Sequence, residues 1–114
     1  MNDCIFCKIA AGVIPSRTVH EDDDLFAFHD VSPQAPVHVL IVPKRHVANL
    51  AGTSNADGAL IGRMLRLAVD IAVQLGIAQS GYRTVFNVGG DGGQTVDHLH
   101  LHLLGGRALA WPPG

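Results

Sequence analysis

His98, His100 and His102 alternate with Leu99, Leu101 and Leu103 near the end of a 114-residue chain that holds seven histidines in all. In a strand, successive side chains point to opposite faces. Three imidazoles would then share one face, roughly 6.6 Å apart, while the leucines fill the other. Packing alone gives no reason to set three polar rings in register on an otherwise apolar segment. Two chemistries do. One is a metal platform, because neutral imidazole is a common ligand. The other is phosphoryl chemistry, with one ring as nucleophile and its neighbours as acid–base groups.

The residues just upstream favour the second. Asn87-Val88-Gly89-Gly90-Asp91-Gly92-Gly93-Gln94-Thr95 carries four glycines, two amides and a hydroxyl. Glycine lets main-chain N–H groups approach an anion closely, and the amides and hydroxyl add neutral donors. The stretch is no Walker loop, since it lacks the Gly-Lys-Ser/Thr ending and leads into a strand. A separate motif opens the chain. Cys4-Ile5-Phe6-Cys7 is a Cys-x-x-Cys, which in a cytosolic protein reads as a metal or a redox site. The redox reading wants a βαβ context, which is missing.

These groups need a scaffold, and the pattern supplies one. A short helix is expected over Cys4–Ala11, stopping before Gly12 and Pro15. Strands are expected over Thr18–Glu21 and Leu25–His29, around a solvated acidic turn, Glu21-Asp22-Asp23-Asp24. A third strand spans Val37–Val42, with Pro43 ending its pairing. The long helix is Asp57–Leu75, with Leu60, Ile61, Met64, Ala68, Ile71, Ala72 and Leu75 as its buried stripe. Ser54 and Asp57 form a weak capping box, and Gly76 sits where a left-handed C-terminal residue belongs. Fourth and fifth strands run over Tyr82–Val88 and Val96–Leu104. Several strands without βαβ alternation make this an α+β protein with an antiparallel sheet of about five strands, one short helix and one long one.

Composition closes off other classes. The length sets one domain over 1–114. Eight Lys and Arg against ten Asp and Glu give a net charge of −2, which leaves no basic field for a nucleic acid. No apolar run is long enough for a spanning helix. The N-terminus lacks the pattern of a signal peptide, so a cytoplasmic location is expected.

The chain resembles the histidine-triad (HIT) family, and within it the histidine-triad nucleotide-binding (Hint) branch. His98 to Leu104 meets the signature His-φ-His-φ-His-φ-φ in full. Phe28-His29-Asp30-Val31-Ser32-Pro33-Gln34-Ala35-Pro36, Val42-Pro43-Lys44, Asp91-Gly92-Gly93-Gln94 and Trp111-Pro112-Pro113-Gly114 match as well, so the likeness covers nearly the whole chain. It implies a purine nucleoside phosphoramidase, cleaving the P–N bond of AMP-amine substrates through a nucleotidyl-histidine on His100. His98, His102, His38 and Thr95 would share the catalytic work. Asp30 would accept from the ribose hydroxyls, for which a carboxylate is well suited. Phe6, Ile9, Ile14, Phe28 and Val31 would form the slot for the base, and His29, Asn87, Gly93, Gln94 and Thr95 complete the nucleotide-binding positions. The family usually has Ser where this chain has Thr95, and an aromatic residue where it has Asp97.

Some bacterial members with this Cys-x-x-Cys bind structural zinc. Carried over, the ligands are Cys4, Cys7, His46 and His98. The family is commonly a homodimer, with the tail tryptophan, Trp111 here, near the partner's site. Two rival readings stand beside the phosphoramidase: a dinucleoside polyphosphate hydrolase of another HIT branch, and a nucleotide-binding interaction module with vestigial catalysis.

Overall fold

A computed structural model describes residues 3–114. Helix α1 covers Ile5–Ala10, followed by strands β1 (Thr18–Glu21), β2 (Leu25–His29) and β3 (Val37–Pro43). Two short 3-10 turns, Leu50–Gly52 and Asn55–Asp57, lead into the long helix α2 (Gly58–Gln74), and β4 (Tyr82–Phe86) and β5 (Leu101–Gly105) complete the chain. The strands form one sheet in the order β1-β2-β3-β5-β4, with every pairing antiparallel. The expected α+β architecture is therefore the observed one.

Both faces of the sheet are covered, which explains why β2 and β3 read as continuous apolar runs. Leu25, Ala27, Val39, Ile41, Leu99, Leu101 and Leu103 pack with Met64, Leu67, Ala68, Ile71 and Ala72 of α2. The alternate residues Phe26, Phe28, Leu40 and Val42 turn to the opposite face and pack with Phe6 and Ile9 of α1. Helix α2 starts from the expected box, with Ser54 and Asp57 capping each other across the second 3-10 turn. It ends at Gln74, one residue short of the expected end, with Leu75 as its C-cap and Gly76 next at φ 78°. The acidic turn is less free than expected. Asp24 pairs with Arg63 of α2 at 2.7 Å, and Glu21 with Lys44 at 2.7 Å, so the turn ties the sheet to the helix.

The fifth strand differs from the sequence expectation. It begins at Leu101, so His98 and His100 precede the ladder and only His102 lies in it. The register gives the reason. Ile41 opposes Leu101, and two residues further on Pro43, which has no N–H to donate, would oppose Leu99. The carbonyl of Pro43 instead accepts from the His98 ring at 2.8 Å, and Leu99 donates to Val47 O at 2.6 Å. On the other flank β4 stops at Phe86, short of the expected Val88, as the chain enters its glycine-rich loop. Pro43 itself is still in register with Leu25, so β3 runs one residue beyond the expected end.

Candidate active site and metal centre

The alternation of His98–Leu103 persists although the ladder does not. Leu99, Leu101 and Leu103 are buried toward α2, and the three histidines face α1. The Phe6 ring of α1 meets both His98 and His100 edge-on, with centroids 6.0 and 5.0 Å apart. His38 on β3 lies diagonally across from His102, since Leu40 is the residue directly opposite.

Hydrogen bonds fix which nitrogen of each ring carries the proton when the ring is neutral. A carbonyl only accepts, so His100 Nδ1, 2.7 Å from His98 O, must be the protonated nitrogen. The lone pair of His100 is then on Nε2. By the same logic His98 donates from Nε2 to Pro43 O, and its Nδ1 is a lone pair. His38 Nδ1 accepts from Gln34 N–H at 3.0 Å, which puts its proton on Nε2, 2.9 Å from His102 Nδ1. His102 in turn keeps its own proton on Nε2. Burial lowers the pKa of His38, against the pull of Asp30. Burial, helped by the neighbouring His100 and His38, brings His102 down to about 4. Both rings are neutral at pH 7.

A cavity of about 310 Å³ opens beside these rings. His100 and His102 line it together with Phe6, Ile9, Ile14, Phe28, Asp30, Val31 and Thr95. Its walls are largely apolar, with a few polar side chains among them, as suits a planar ring with a polar tail. Asp30 divides its carboxylate between two tasks. Oδ1 accepts from Ser32 N–H at 2.8 Å in a tight turn, and Oδ2 lies 3.5 Å from His38 Nε2. Val31 sits at the rim and is 95% exposed.

Not every residue singled out from the sequence lies here. His29 closes β2, donating its main-chain N–H to Arg17 O, and is not on the lining. Asn87 lines a second cavity, of about 530 Å³, which shares His102 with the first. Gly93 and Gln94 hold the loop together. Gly93 N–H goes to Gly90 O, Gln94 N–H goes to Gly89 O, and the Gln94 side chain bonds Ala48 O, Val96 O and Gly89 N–H. Those main-chain donors are spent within the loop. Gly92 is required there, because a Cβ would collide with the carbonyl oxygen of Val88.

Cys4, Cys7, His46 and His98 converge on the far side of Phe6, their donor atoms all within 4.8 Å of one another. Cys4 Sγ and Cys7 Sγ are 3.2 and 3.4 Å from His98 Nδ1, and Cys7 Sγ is 3.3 Å from His46 Nδ1. These residues could hold a metal ion. Two sulfurs and two imidazole nitrogens suit a tetrahedral ion, whose ligand atoms lie about 3.3–3.8 Å apart. His98 already presents a lone pair from Nδ1, its other nitrogen fixed by a carbonyl, which is the usual support for a ligating histidine. A second cluster, Asp30, His38 and His102, is also compact, but ligation through His38 Nε2 would displace the proton that Gln34 N–H forces onto that atom.

The antiparallel sheet thus presents a row of histidines beside a largely apolar cavity that Asp30 also lines. The HIT domain model matches residues 11–109, and the chain belongs to the HIT domain family. It is 55% identical over 112 residues to an uncharacterized HIT-like protein of Synechococcus elongatus, a match that spans 98% of this chain and 97% of that one. It is 47% identical over 107 residues to the purine nucleoside phosphoramidase of Escherichia coli, covering 94% and 90% of the two chains. Among solved structures, a HIT family hydrolase from Legionella pneumophila superposes with a TM-score of 0.96 at 50% identity, over 98% of this chain and all of that one. No described helix is long and apolar enough to cross a membrane.

Proposed function

We propose that this protein is a purine nucleoside phosphoramidase that hydrolyses the P–N bond of AMP-amine substrates through a covalent intermediate on His100. The observation that carries the reading is the 2.7 Å bond from His100 Nδ1 to His98 O, which leaves Nε2 as a lone pair on the wall of a cavity that Asp30 also lines. A purine would occupy the slot of Phe6, Ile9, Ile14 and Phe28, with the ribose hydroxyls on Asp30. His100 Nε2 attacks phosphorus and the P–N bond breaks. The departing nitrogen takes a proton, which His102 Nε2–H or the Thr95 hydroxyl on the same lining would supply. Water then attacks the phosphorus of the nucleotidyl-histidine, releasing the monophosphate and restoring the ring.

Zinc is part of the proposal. Cys4, Cys7, His46 and His98 would hold it, and its contribution would be to clamp α1 to the triad segment. A reducing cytoplasm suits a site built on two thiolates. A homodimer fits the free edge of β4 and the exposed side chain of Trp111. The decisive experiment compares turnover of an AMP-amine with that of a diadenosine polyphosphate, and traps the intermediate by rapid quench. A preference for the polyphosphate would make this a dinucleoside polyphosphate hydrolase. Binding of AMP without turnover of either would make it an interaction module.

A further inference from the structure

The orientation of His38 depends on a residue that touches neither the rings nor the first cavity. Gln34 N–H holds His38 Nδ1 at 3.0 Å, and the carbonyl of the same residue is gripped from outside the loop. Arg107, just after β5, donates from Nε at 3.1 Å and from Nη2 at 2.9 Å to Gln34 O, and its remaining nitrogen bonds Ala108 O at 3.0 Å. A planar guanidinium that places two donors on one oxygen fixes direction as well as distance. The turn that carries it is seated on the same loop. Gly106 has φ 89°, and a Cβ there would stand 2.8 Å from Pro36. With Ala35 buried beside it, the segment between Asp30 and His38 is held at its midpoint by one side chain 73 residues away in sequence.

We infer that Arg107 is a positioning residue for the reaction: its grip on Gln34 sets the tautomer of His38 and, through it, of His102. Gln34 N–H excludes a proton from His38 Nδ1, so the proton is on Nε2. Nε2 is 2.9 Å from His102 Nδ1 and 3.5 Å from Asp30, so its partner is His102. His102 is thereby left with Nε2–H as the donor for a phosphoryl oxygen or the leaving nitrogen. Release of the loop would let His38 carry its proton on Nδ1, and His102 would lose its fixed partner. The catalytic consequence rests on the phosphoramidase reading; the tautomer assignment does not.

Long-range proton–nitrogen correlation spectra of the nitrogen-15-labelled protein at pH 7 read the tautomers directly. The wild type should show His38 and His102 each protonated on Nε2. Arg107→Met should show His38 in mixed tautomers, with kcat on an AMP-amine down about tenfold and KM within about twofold of wild type, since alignment is lost and the nucleoside slot is not. The acid limb of its pH–rate profile should move up, because the donor opposing protonation at His38 Nδ1 has gone. Asp30, His100, His102 and the Arg83 and Arg107 guanidiniums are the charged or titratable groups around the pair. Arg107→Lys keeps the charge, so it separates loss of the grip from loss of a nearby cation; intermediate kcat and mixed tautomers are expected. A wild-type His38 protonated on Nδ1 would overturn the inference. So would wild-type tautomers in either variant, or a lower melting temperature with the tautomers unmoved. If the wild type shows the expected tautomers but turns over no phosphoramidate, the proposed reaction falls and the positioning of His38 stands.

Discussion

An imidazole has two nitrogens, and the site histidines differ in which one is engaged. His100 is on the cavity lining, and its free nitrogen is Nε2 because His98 O holds Nδ1. Replacing it by alanine removes the pathway, so kcat on an AMP-amine should fall at least about a thousandfold while AMP binding, carried by the slot and Asp30, weakens far less. Near-normal turnover in that variant, followed by product chromatography, would take the nucleophile away from His100. Asp30 is tested by its preference. Asp30→Asn should lose about 1–3 kcal/mol of discrimination between ribose and 2′-deoxyribose substrates, the scale of a charge-assisted hydrogen bond. Comparing kcat/KM for the two substrates in wild type and variant measures it, and unchanged ratios would remove the carboxylate from the ribose. At this scale the sequence was informative about residue types and silent about tautomers. Alternation put His98, His100 and His102 on one face, but nothing in the spacing reveals that Pro43 O, His98 O and Gln34 N–H choose their protonated nitrogens. The role of Arg107 is illegible in the sequence for the same reason. Its target is a main-chain carbonyl, and a carbonyl leaves no mark in a sequence.

Helix α1 is only six residues long, too short to be stable alone, yet it builds one wall of the cavity. Phe6 and Ile9 face the sheet, and Cys4 and Cys7 bracket Phe6 on the side of His46 and His98. Elements this short take their stability from what they are tied to. A metal at the four donors would tie α1 to the loop after β3 and to the triad segment, stabilising the fold by several kcal/mol. The consequences for Cys4→Ser with Cys7→Ser are measurable. The melting temperature should drop, as should the bound zinc measured by elemental analysis, expected near one equivalent in the wild type. AMP affinity, measured by calorimetry, should weaken as well, because the wall carrying Phe6 loosens. Residual turnover is expected, since His100 is not among the donors. Wild-type protein with well under half an equivalent of zinc, and with melting unmoved by a chelator, would leave Cys4 and Cys7 without a metal role. The bounds of the elements were legible where burial is periodic, as in α2, and less so in β5. There the hydrophobic alternation runs on past the ladder, because extended chain keeps its period of two even where Pro43 has ended the hydrogen bonding.

Across the whole molecule the sheet separates two interiors of different character. The α2 side is apolar, packed around Met64, Ile71 and Leu101. The α1 side mixes Phe26, Phe28, Leu40 and Val42 with histidines that are buried or half-buried. Folding therefore takes imidazoles out of water, and this makes stability depend on pH. His38 and His102 have their pKa lowered in the folded state, His102 to about 4, whereas both are ordinary in the unfolded chain. Between about pH 6.5 and pH 4 the unfolded chain therefore binds more protons than the folded one, and stability rises with pH across that window. Asp22 works the same way further down. Burial pushes its pKa up, but the His20 ring and the main-chain N–H groups of Asp24 and Leu25 outweigh that and hold it at about 2, so its contribution is lost only in stronger acid. The expected profile is a plateau above about pH 7 and a first decline as pH falls through 6.5 toward 4. His102→Asn should flatten that first decline by about 1–2 kcal/mol, allowing for the half-exposed ring, and leave the later step due to Asp22 in place. Urea unfolding of wild type and variant at half-unit steps from about pH 7.5 to about pH 2, with chelator present so that metal loss does not contribute, checks it. Parallel profiles for the two proteins would mean that His102 is as easily protonated in the fold as outside it, and its neutral state at pH 7 would owe nothing to the α1 side of the sheet.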